Sequence, residues 1–217
     1  MGDDDGATIS QQLYVAASKG DVEATSLLIL RNVGIDLNWK AISGWTALHI
    51  ACYKNHLDIC KLLIGAGASV SEKDNDECTP IFIAAMNHNN EICNLLLSSG
   101  ASFSAQNKDG FTPLHIAVRE NDFELCATLI ERGSEVNLPD REGRTPIFHV
   151  GASETESNEK LLLLMIRAGS DLELQDKSFT TPLGKFGFQR ILNLICSHSS
   201  EDSRLIQASG PLLHTGN

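Results

Sequence analysis

The sequence predicts an all-α solenoid of stacked helix-turn-helix pairs joined by β-hairpin-like loops. Three observations support this: a short phrase recurs, its copies stand 33, 33, 33 and 36 residues apart, and two apolar helical stretches follow most copies. The copies read GWTALH, ECTPIF, GFTPLH, GRTPIF and FTTPLG, and they begin at Gly44, Glu77, Gly110, Gly143 and Phe179. A unit of this size cannot bury its own apolar face, so the units must stack.

The first helix of each unit is predicted to begin at the Thr of the phrase. A Thr hydroxyl accepts a hydrogen bond from an unpaired backbone N–H of the first helical turn. In four units a proline follows, at the position where a helix needs no N–H. The predicted caps are Thr46, Thr79, Thr112, Thr145 and Thr181.

The second helix of each unit is predicted to end at a glycine. The stretches LDICKLLIGAGA, NEICNLLLSSGA and FELCATLIERGS share one apolar pattern and reach Gly67, Gly100 and Gly133. Glycine is the residue type favoured just beyond a helix C-terminus. Segments rich in Asn, Asp and Gly follow, as tight turns require.

These units resemble the ankyrin repeat, through the 33-residue period, the Gly-x-Thr-Pro-Leu-His-x-Ala phrase and the closing Gly-Ala-x-Val-Asn. The resemblance covers about residues 8–196 and implies an ankyrin-repeat α-solenoid. We expect a disordered acidic N-terminus over residues 1–7 and a flexible C-terminal tail over residues 197–217. The repeats are expected at 8–43, 44–76, 77–109, 110–142 and 143–178, with a short cap at 179–196.

Two departures from the pattern locate irregular structure. The connection between the first two repeats is two residues longer than its successors. In the fifth repeat, the stretch GASETESNEK adds three residues and removes the usual turn residue. We expect this acidic, Ser/Thr-rich loop to protrude and to be mobile.

Composition argues against several classes of function. The formal net charge is −11 and no Lys/Arg cluster occurs, which disfavours nucleic-acid binding. No run of 18 apolar residues suggests a membrane span, and the N-terminus lacks the pattern of a signal peptide. We expect a monomeric cytoplasmic protein, with the nucleus as the alternative location.

Recurring cysteines and histidines are predicted to be structural. Cys60, Cys93 and Cys126 stand 33 residues apart, and no pair has Cys-x-x-Cys spacing. We therefore interpret them as small apolar side chains buried in the core. His49 and His115 are expected to brace the turn. Phe replaces His at the same position in alternate repeats, so the position is not a recurring chemical site.

No catalytic motif is recognisable in the sequence. Neither Gly-x-x-x-x-Gly-Lys-Ser/Thr nor Gly-x-Ser-x-Gly occurs. We expect neither catalysis nor a cofactor or metal.

The resemblance implies that a protein partner binds the hairpin tips and the exposed face of the first helices, which line a concave groove. Aromatic, Met and Arg side chains are the types enriched at such contacts. The acidic net charge favours a partner with a basic patch. The candidate contacts are Trp45, Tyr53, Lys54, Asn75, Asp76, Cys78, Met86, Lys108, Asp109, Phe111, Arg119, Glu120, Arg141 and Arg144.

Other interpretations stay open at this point. The chain could be an adaptor or regulatory segment of a larger protein, such as a ubiquitin-ligase substrate receptor, a channel or a kinase. Repeat number and acidity also fit an inhibitor-of-NF-kappaB-like repressor. Asn38 and Asn137 resemble sites of asparaginyl hydroxylation, against the alternative that they make hairpin hydrogen bonds. The loop Ser153 to Ser157 resembles acidophilic kinase sites, against the alternative of a plain solvated loop.

Overall fold

The computed structural model describes residues 3–197, with side chains described from residue 9. This part of the chain is helical and contains no strand. Its elements are α1 (Asp3–Lys19), α2 (Val22–Arg31), α3 (Ala47–Tyr53), α4 (Leu57–Gly65), α5 (Pro80–Met86), α6 (Asn90–Ser98), α7 (Pro113–Arg119), α8 (Phe123–Glu131), a 3₁₀ helix (Pro146–His149), α9 (Glu156–Arg167), α10 (Pro182–Phe186) and α11 (Phe188–Ser197).

The helices form two parallel rows. The inner row runs α1, α3, α5, α7, the 3₁₀ helix and α10, and each element contacts the next. The outer row runs α2, α4, α6, α8, α9 and α11 in the same way. This arrangement confirms the predicted all-α solenoid of helix pairs. Among residues 3–197, no helix is long and apolar enough to cross a membrane.

The predicted Thr caps form in only some repeats. Thr46 accepts from the backbone N–H of His49, whose Nδ1 in turn accepts from the Thr46 N–H at 3.2 Å. Thr112 and His115 make the same capping box. Thr79 and Thr145 begin their helices without a side-chain cap, so that expectation is wrong for these two. In both repeats Phe stands in place of His. The His nitrogen is not required for a cap, because Thr181 accepts from the N–H of Gly184 in α10.

The hairpin tips of successive repeats are joined by backbone hydrogen bonds. The N–H groups of Asn75, Lys108 and Arg141 donate to carbonyls of the preceding hairpin at 3.1, 3.0 and 2.9 Å. This close approach requires glycine at the turn. Gly44 has φ +81°, and a Cβ there would lie 2.6 Å from the backbone N of Asn75. The recurring turn glycine therefore serves the neighbouring repeat as well as its own turn.

The core is one continuous apolar layer between the two rows. Cys60, Cys93 and Cys126 are fully buried in it, as predicted. Burial raises the pKa of Cys93 to about 12 and raises that of Cys126 further. The Cys93 and Cys126 thiols are therefore protonated, inert core groups.

The fifth repeat contains the predicted irregularity. Its first helix is reduced to the four-residue 3₁₀ helix, and the following residues 151–157 are all exposed. Their exposure confirms that the loop protrudes. Hydrogen bonds hold this loop at several places: Asn158 Nδ2 donates to Ser153 Oγ at 2.7 Å, and Arg190 Nη1 donates to the carbonyl of Ala152 at 3.0 Å. Asn121 Nδ2 also donates to Ser157 Oγ at 2.6 Å.

The two ends of the described part of the chain are both helical. α1 begins at Asp3, inside the segment 1–7 for which disorder was predicted, and residues 1 and 2 lie outside the described residues. At the other end, α10 and α11 form the short cap, and Ser197 is the last residue of α11. The rest of the predicted tail, residues 198–217, lies outside the described residues.

Candidate protein-binding surface

Three inner helices, α3, α5 and α7, each present one exposed side chain at the same helical position. Tyr53, Met86 and Arg119 are 33 residues apart and each ends its helix. Tyr53 is 45% and Met86 38% exposed, and the Arg119 side chain is 42% exposed. Because equivalent positions of stacked repeats are neighbours, these three side chains form a row along the solenoid. We call Tyr53, Met86 and Arg119 the groove row.

Trp45 supports the first member of the groove row. Its ring is half-buried and lies 5.4 Å from the Tyr53 ring, centroid to centroid. Its Nε1 donates to Asp74 Oδ2 at 3.0 Å, in the next hairpin. Lys54 Nζ lies over the Tyr53 ring, 5.3 Å from its centroid. Trp45 is therefore fixed against its neighbouring hairpin, and Tyr53 is the more accessible aromatic side chain.

Phe111 supports the third member in a similar way. Its ring stacks on His115 at 5.6 Å and meets the edge of His149 at 5.0 Å. The Arg119 guanidinium lies 5.7 Å from the Phe111 centroid, and its Nη2 pairs with Glu120 Oε1 at 3.0 Å. A cation held over an aromatic face is restricted in its motion. Arg119 is thus presented in one defined place.

A buried carboxylate organises the end of the surface near Arg144. The Asp140 side chain is fully buried and accepts from the N–H of Glu142, the N–H of Arg144 and Arg144 Nε. Burial alone would raise the pKa of Asp140, but these hydrogen bonds and the Arg144 charge outweigh it and lower the pKa. Asp140 therefore stays ionised and holds Arg144 in position. His149 Nε2 lies 3.3 Å from Asp140 Oδ2.

The two histidines at this end are neutral near pH 7. Burial lowers the pKa of His115 to about 4, and burial likewise lowers the pKa of His149. His115 is also fixed across the repeat junction, since its Nε2 lies 3.1 Å from the carbonyl oxygen of Arg144. His49 makes the matching contact to the carbonyl of Cys78 at 3.1 Å. The predicted bracing role of both histidines agrees with these contacts, which also join one repeat to the next.

One of the predicted contact residues, Cys78, is buried rather than exposed. Cys78 is only 7% exposed, and its thiol lies 3.9 Å from the carbonyl oxygen of Asp76 and 3.8 Å from Asn107 Nδ2. Burial raises its pKa to about 11. Although it follows the turn like Trp45 and Phe111, its short side chain does not reach out of the hairpin. Cys78 therefore offers almost no surface to a partner.

The predicted hairpin-tip residues are all exposed. Asn75 is the most constrained, because its Nδ2 donates to the carbonyl of Ile42 at 2.8 Å. Lys108 Nζ lies 3.7 Å from Asp76 Oδ1, so charges of both signs alternate along the tips. The exposed tip residues are Asn75, Asp76, Lys108, Asp109 and Arg141.

Sequence reasoning missed a ladder that braces the hairpins. Lys40 Nζ donates to the carbonyl of Lys73 at 2.8 Å, and Gln106 Nε2 donates to the carbonyl of Pro139 at 3.1 Å. Lys73 Nζ bridges the interval, 3.5 Å from the carbonyl of Gln106. Lys40, Lys73, Gln106 and Pro139 each stand 33 residues from the next, and this spacing was the signal in the sequence that could have indicated the ladder.

The two asparagines with hydroxylation-like context make hairpin hydrogen bonds. Asn38 Oδ1 accepts from the N–H of Ser69 at 2.9 Å. Asn137 Oδ1 accepts from the N–H of Asp171 at 2.8 Å, and its Nδ2 donates to the carbonyl of Gly169 at 3.0 Å. Both therefore connect adjacent repeats. Across the described residues, no three His, Cys, Asp or Glu side chains are grouped to hold a metal ion.

Comparison with known proteins gives a consistent set of similarities. A sequence model described as ankyrin repeats (3 copies) matches residues 13–107 and 81–176. Protein phosphatase 1 regulatory subunit 27 of Homo sapiens is 35% identical over 68 residues, which are 31% of this chain and 43% of that protein. Protein phosphatase 1 regulatory subunit 12A of Mus musculus is 42% identical over 52 residues, 24% of this chain and 5% of that protein.

A plant protein shows a similar partial match. Serine/threonine-protein kinase 12 of Arabidopsis thaliana is 38% identical over 69 residues, which are 32% of this chain and 15% of the kinase. The chain therefore matches less than half the length of each of these curated relatives.

Proposed function

This chain belongs to the ankyrin-repeat family, and from that premise we propose that it is a non-catalytic module that binds a partner protein through the groove row and the hairpin tips. The observation that carries the proposal is the groove row itself. An aromatic ring, a thioether and a guanidinium are exposed at one position of three successive repeats. Tyr and Arg are among the residue types that dominate binding energy at protein interfaces.

The supports around the groove row favour binding by a preformed surface. Trp45 and Asp74 hold the Tyr53 end, while Phe111 and Glu120 hold Arg119. A side chain that is already ordered loses less conformational entropy when a partner binds. The net charge of −11 adds long-range attraction for a partner with a basic patch, which raises the association rate more than the affinity.

The test compares the chain with a variant that removes only the groove row, Tyr53→Ala/Met86→Ala/Arg119→Ala. Trp45 and Phe111 are left intact because they contact neighbouring hairpins. The matched control, Phe123→Ala/Leu174→Ala/Phe188→Ala, removes exposed apolar side chains elsewhere. We expect all three chains to melt alike. A protein captured from lysate by the wild type and the control is expected to be lost by the groove variant.

Undiminished capture by the groove variant would contradict the proposal, provided that its melting temperature is unchanged. The captured protein would then bind another surface.

A second candidate is a regulatory segment of a phosphatase complex. The observation that favours it is that two relatives carry the name of protein phosphatase 1 regulatory subunits. Isothermal titration of the chain with the protein phosphatase 1 catalytic subunit tests it. We expect a dissociation constant of about 10 μM or tighter. No heat change at higher concentrations removes this candidate without affecting the general proposal.

A further inference from the structure

The outer face of the first helix pair, α1 and α2, exposes positions that every later regular repeat buries. The first repeat is offset by 35 residues from the second, so Val15 corresponds to Ile50. Val15 is 43% exposed, whereas Ile50 is 7% exposed. The next two counterparts, Ile83 and Ile116, are 3% and 1% exposed. The later repeats differ from the first in having a helix pair packed ahead of them, and that pair covers this position.

A second position in α2 gives the same result independently. Leu28 is half-buried, while its counterparts Leu63, Leu96 and Leu129 are fully buried. Val15 and Leu28 both line a cleft of about 550 Å³ between α1 and α2, and Leu27 also lines it. The cleft therefore coincides with the surface that a preceding repeat covers elsewhere in the stack.

The opposite end of the solenoid is finished differently. Apart from Phe188 at its first residue, α11 exposes mainly polar side chains, and Gln189 Nε2 donates to Asn193 Oδ1 at 2.8 Å. Polar outer faces are what terminal repeats need to remain soluble. A second copy of the chain, stacked head to tail, would bring these amides against Val15 and Leu28. The contrast disfavours a second copy as the occupant of the cleft.

The charged residues around the cleft indicate which charge a molecule bound there would carry beside its apolar surface. Lys19 and Arg31 line it, against the single carboxylate of Asp21. Asp21 is engaged as the cap of α2, since its Oδ1 accepts from the N–H of Ala24 at 2.8 Å. The edge of the cleft is thus locally basic on a chain whose net charge is −11.

From these observations we infer that the α1–α2 face binds an amphipathic α-helix of a partner protein, at the place where a preceding repeat would pack. The helix presents a stripe of Leu, Ile and Ala to Val15, Leu27 and Leu28, in the manner of helix-in-groove recognition. Its acidic flank faces Lys19 and Arg31. This surface is separate from the groove row, so a partner can occupy each.

The experiment uses a defined probe, a fluorescein-labelled helical peptide of about 16 residues, long enough to span four turns. Leu and Ala form one stripe, Glu residues flank it, and a hydrocarbon staple on the polar face keeps it helical. A control peptide has the same composition with the stripe broken. Fluorescence anisotropy is measured against the full chain, the variant Val15→Asp/Leu27→Asp and the groove-row variant.

We expect the striped peptide to bind the wild type with a dissociation constant of about 10–100 μM. Binding should weaken at least about 10-fold in the Val15→Asp/Leu27→Asp chain and with the control peptide, since each removes the apolar match. The groove-row variant should bind as the wild type does. That result separates this inference from the proposed function. Both changed residues are partly exposed, so we expect the variant to fold, and circular dichroism melts check this.

Two outcomes overturn the inference. One is equal binding by the Val15→Asp/Leu27→Asp chain, or no binding to the wild type up to about 1 mM. The other is a dimer of the wild type in sedimentation equilibrium that dissociates in the same variant, because the face would then be occupied by a second copy.

Discussion

Repeats 4 and 5 begin with almost the same phrase and build different structures from it. Repeat 4 (110–142) forms the seven-residue helix α7, capped by Thr112 and braced by His115. Repeat 5 (143–178) forms a four-residue 3₁₀ helix with no side-chain cap, and Phe148 stands where His115 would be.

Repeat 3 shows that the missing cap is not the reason. It also lacks a side-chain cap, yet α5 has seven residues. The difference lies after the helix, where Asn55, His88 and Asn121 adopt a left-handed conformation with φ between 55° and 58°. Repeat 5 leaves the helix before it reaches this position, at Val150, which corresponds to Ala117 inside α7. Val150 has φ −60° but ψ 134°, and this ψ is extended rather than helical.

The early exit leaves backbone carbonyls that another repeat satisfies. Lys185 Nζ donates to the carbonyl of Phe148 and, at 3.0 Å, to that of Val150. Burial lowers the pKa of Lys185. The comparison teaches that one phrase specifies where a layer begins, while the link and the next repeat determine how long its first helix is.

The largest effect is expected where repeat 5 depends on apolar packing. Phe148 is 6% exposed, and Phe148→Ala should lower the free energy of unfolding by about 3–5 kcal/mol, because it leaves a cavity in the core. Phe179→Ala is the matched control, because Phe179 is 82% exposed. It should change the free energy of unfolding by less than about 0.5 kcal/mol. Urea denaturation measures both. Equal effects would mean that Phe148 is not a packing residue.

The turn glycines of the two repeats allow a finer comparison. Gly110 and Gly143 have φ +81° and +80°, so alanine strains either turn by about 1–2 kcal/mol. A Cβ at Gly110 would also lie 2.7 Å from the backbone N of Arg141, against 3.3 Å to the nearest atom for Gly143. Gly110→Ala should therefore be more destabilising, by about a further 1–3 kcal/mol. Thermal melts that rank the two variants in the opposite order would contradict this account of hairpin stacking.

The smallest effect concerns pH and the residue that distinguishes the two repeats. Burial lowers the pKa of His115 from 6.5 to about 4. Between these values the unfolded chain binds more protons than the native chain, so this contribution to stability is complete above pH 6.5 and is lost as pH falls toward 4. Between pH 7 and pH 5 the free energy of unfolding of the wild type should fall by about 1–2 kcal/mol more than that of the His115→Phe variant. This variant carries at position 115 the side chain that repeat 5 has at Phe148. Urea titrations at both pH values measure the difference, and parallel losses would exclude His115 as the titrating group.

The period in the sequence was sufficient for the fold, since each Thr-Pro and each closing Gly reports a local helix start or stop. It was not sufficient for exposure. Trp45, Cys78 and Phe111 occupy one position of the repeat, but side-chain length decides which of them emerges from the hairpin. The hydrogen-bond ladder from Lys40 was missed although its residues stand 33 apart, because its acceptors are backbone carbonyls, which no particular residue type marks. The start of α1 at Asp3 was missed because no repeat phrase precedes it.

The buried cysteines described above have a consequence for measuring local unfolding. Cys60, Cys93 and Cys126 lie at the same depth of three successive layers, and none is exposed. A thiol reagent in solution modifies each only when its own layer opens. Alkylation followed by peptide mass spectrometry would therefore record, with no engineered label, whether the solenoid opens from one end or loses its layers together.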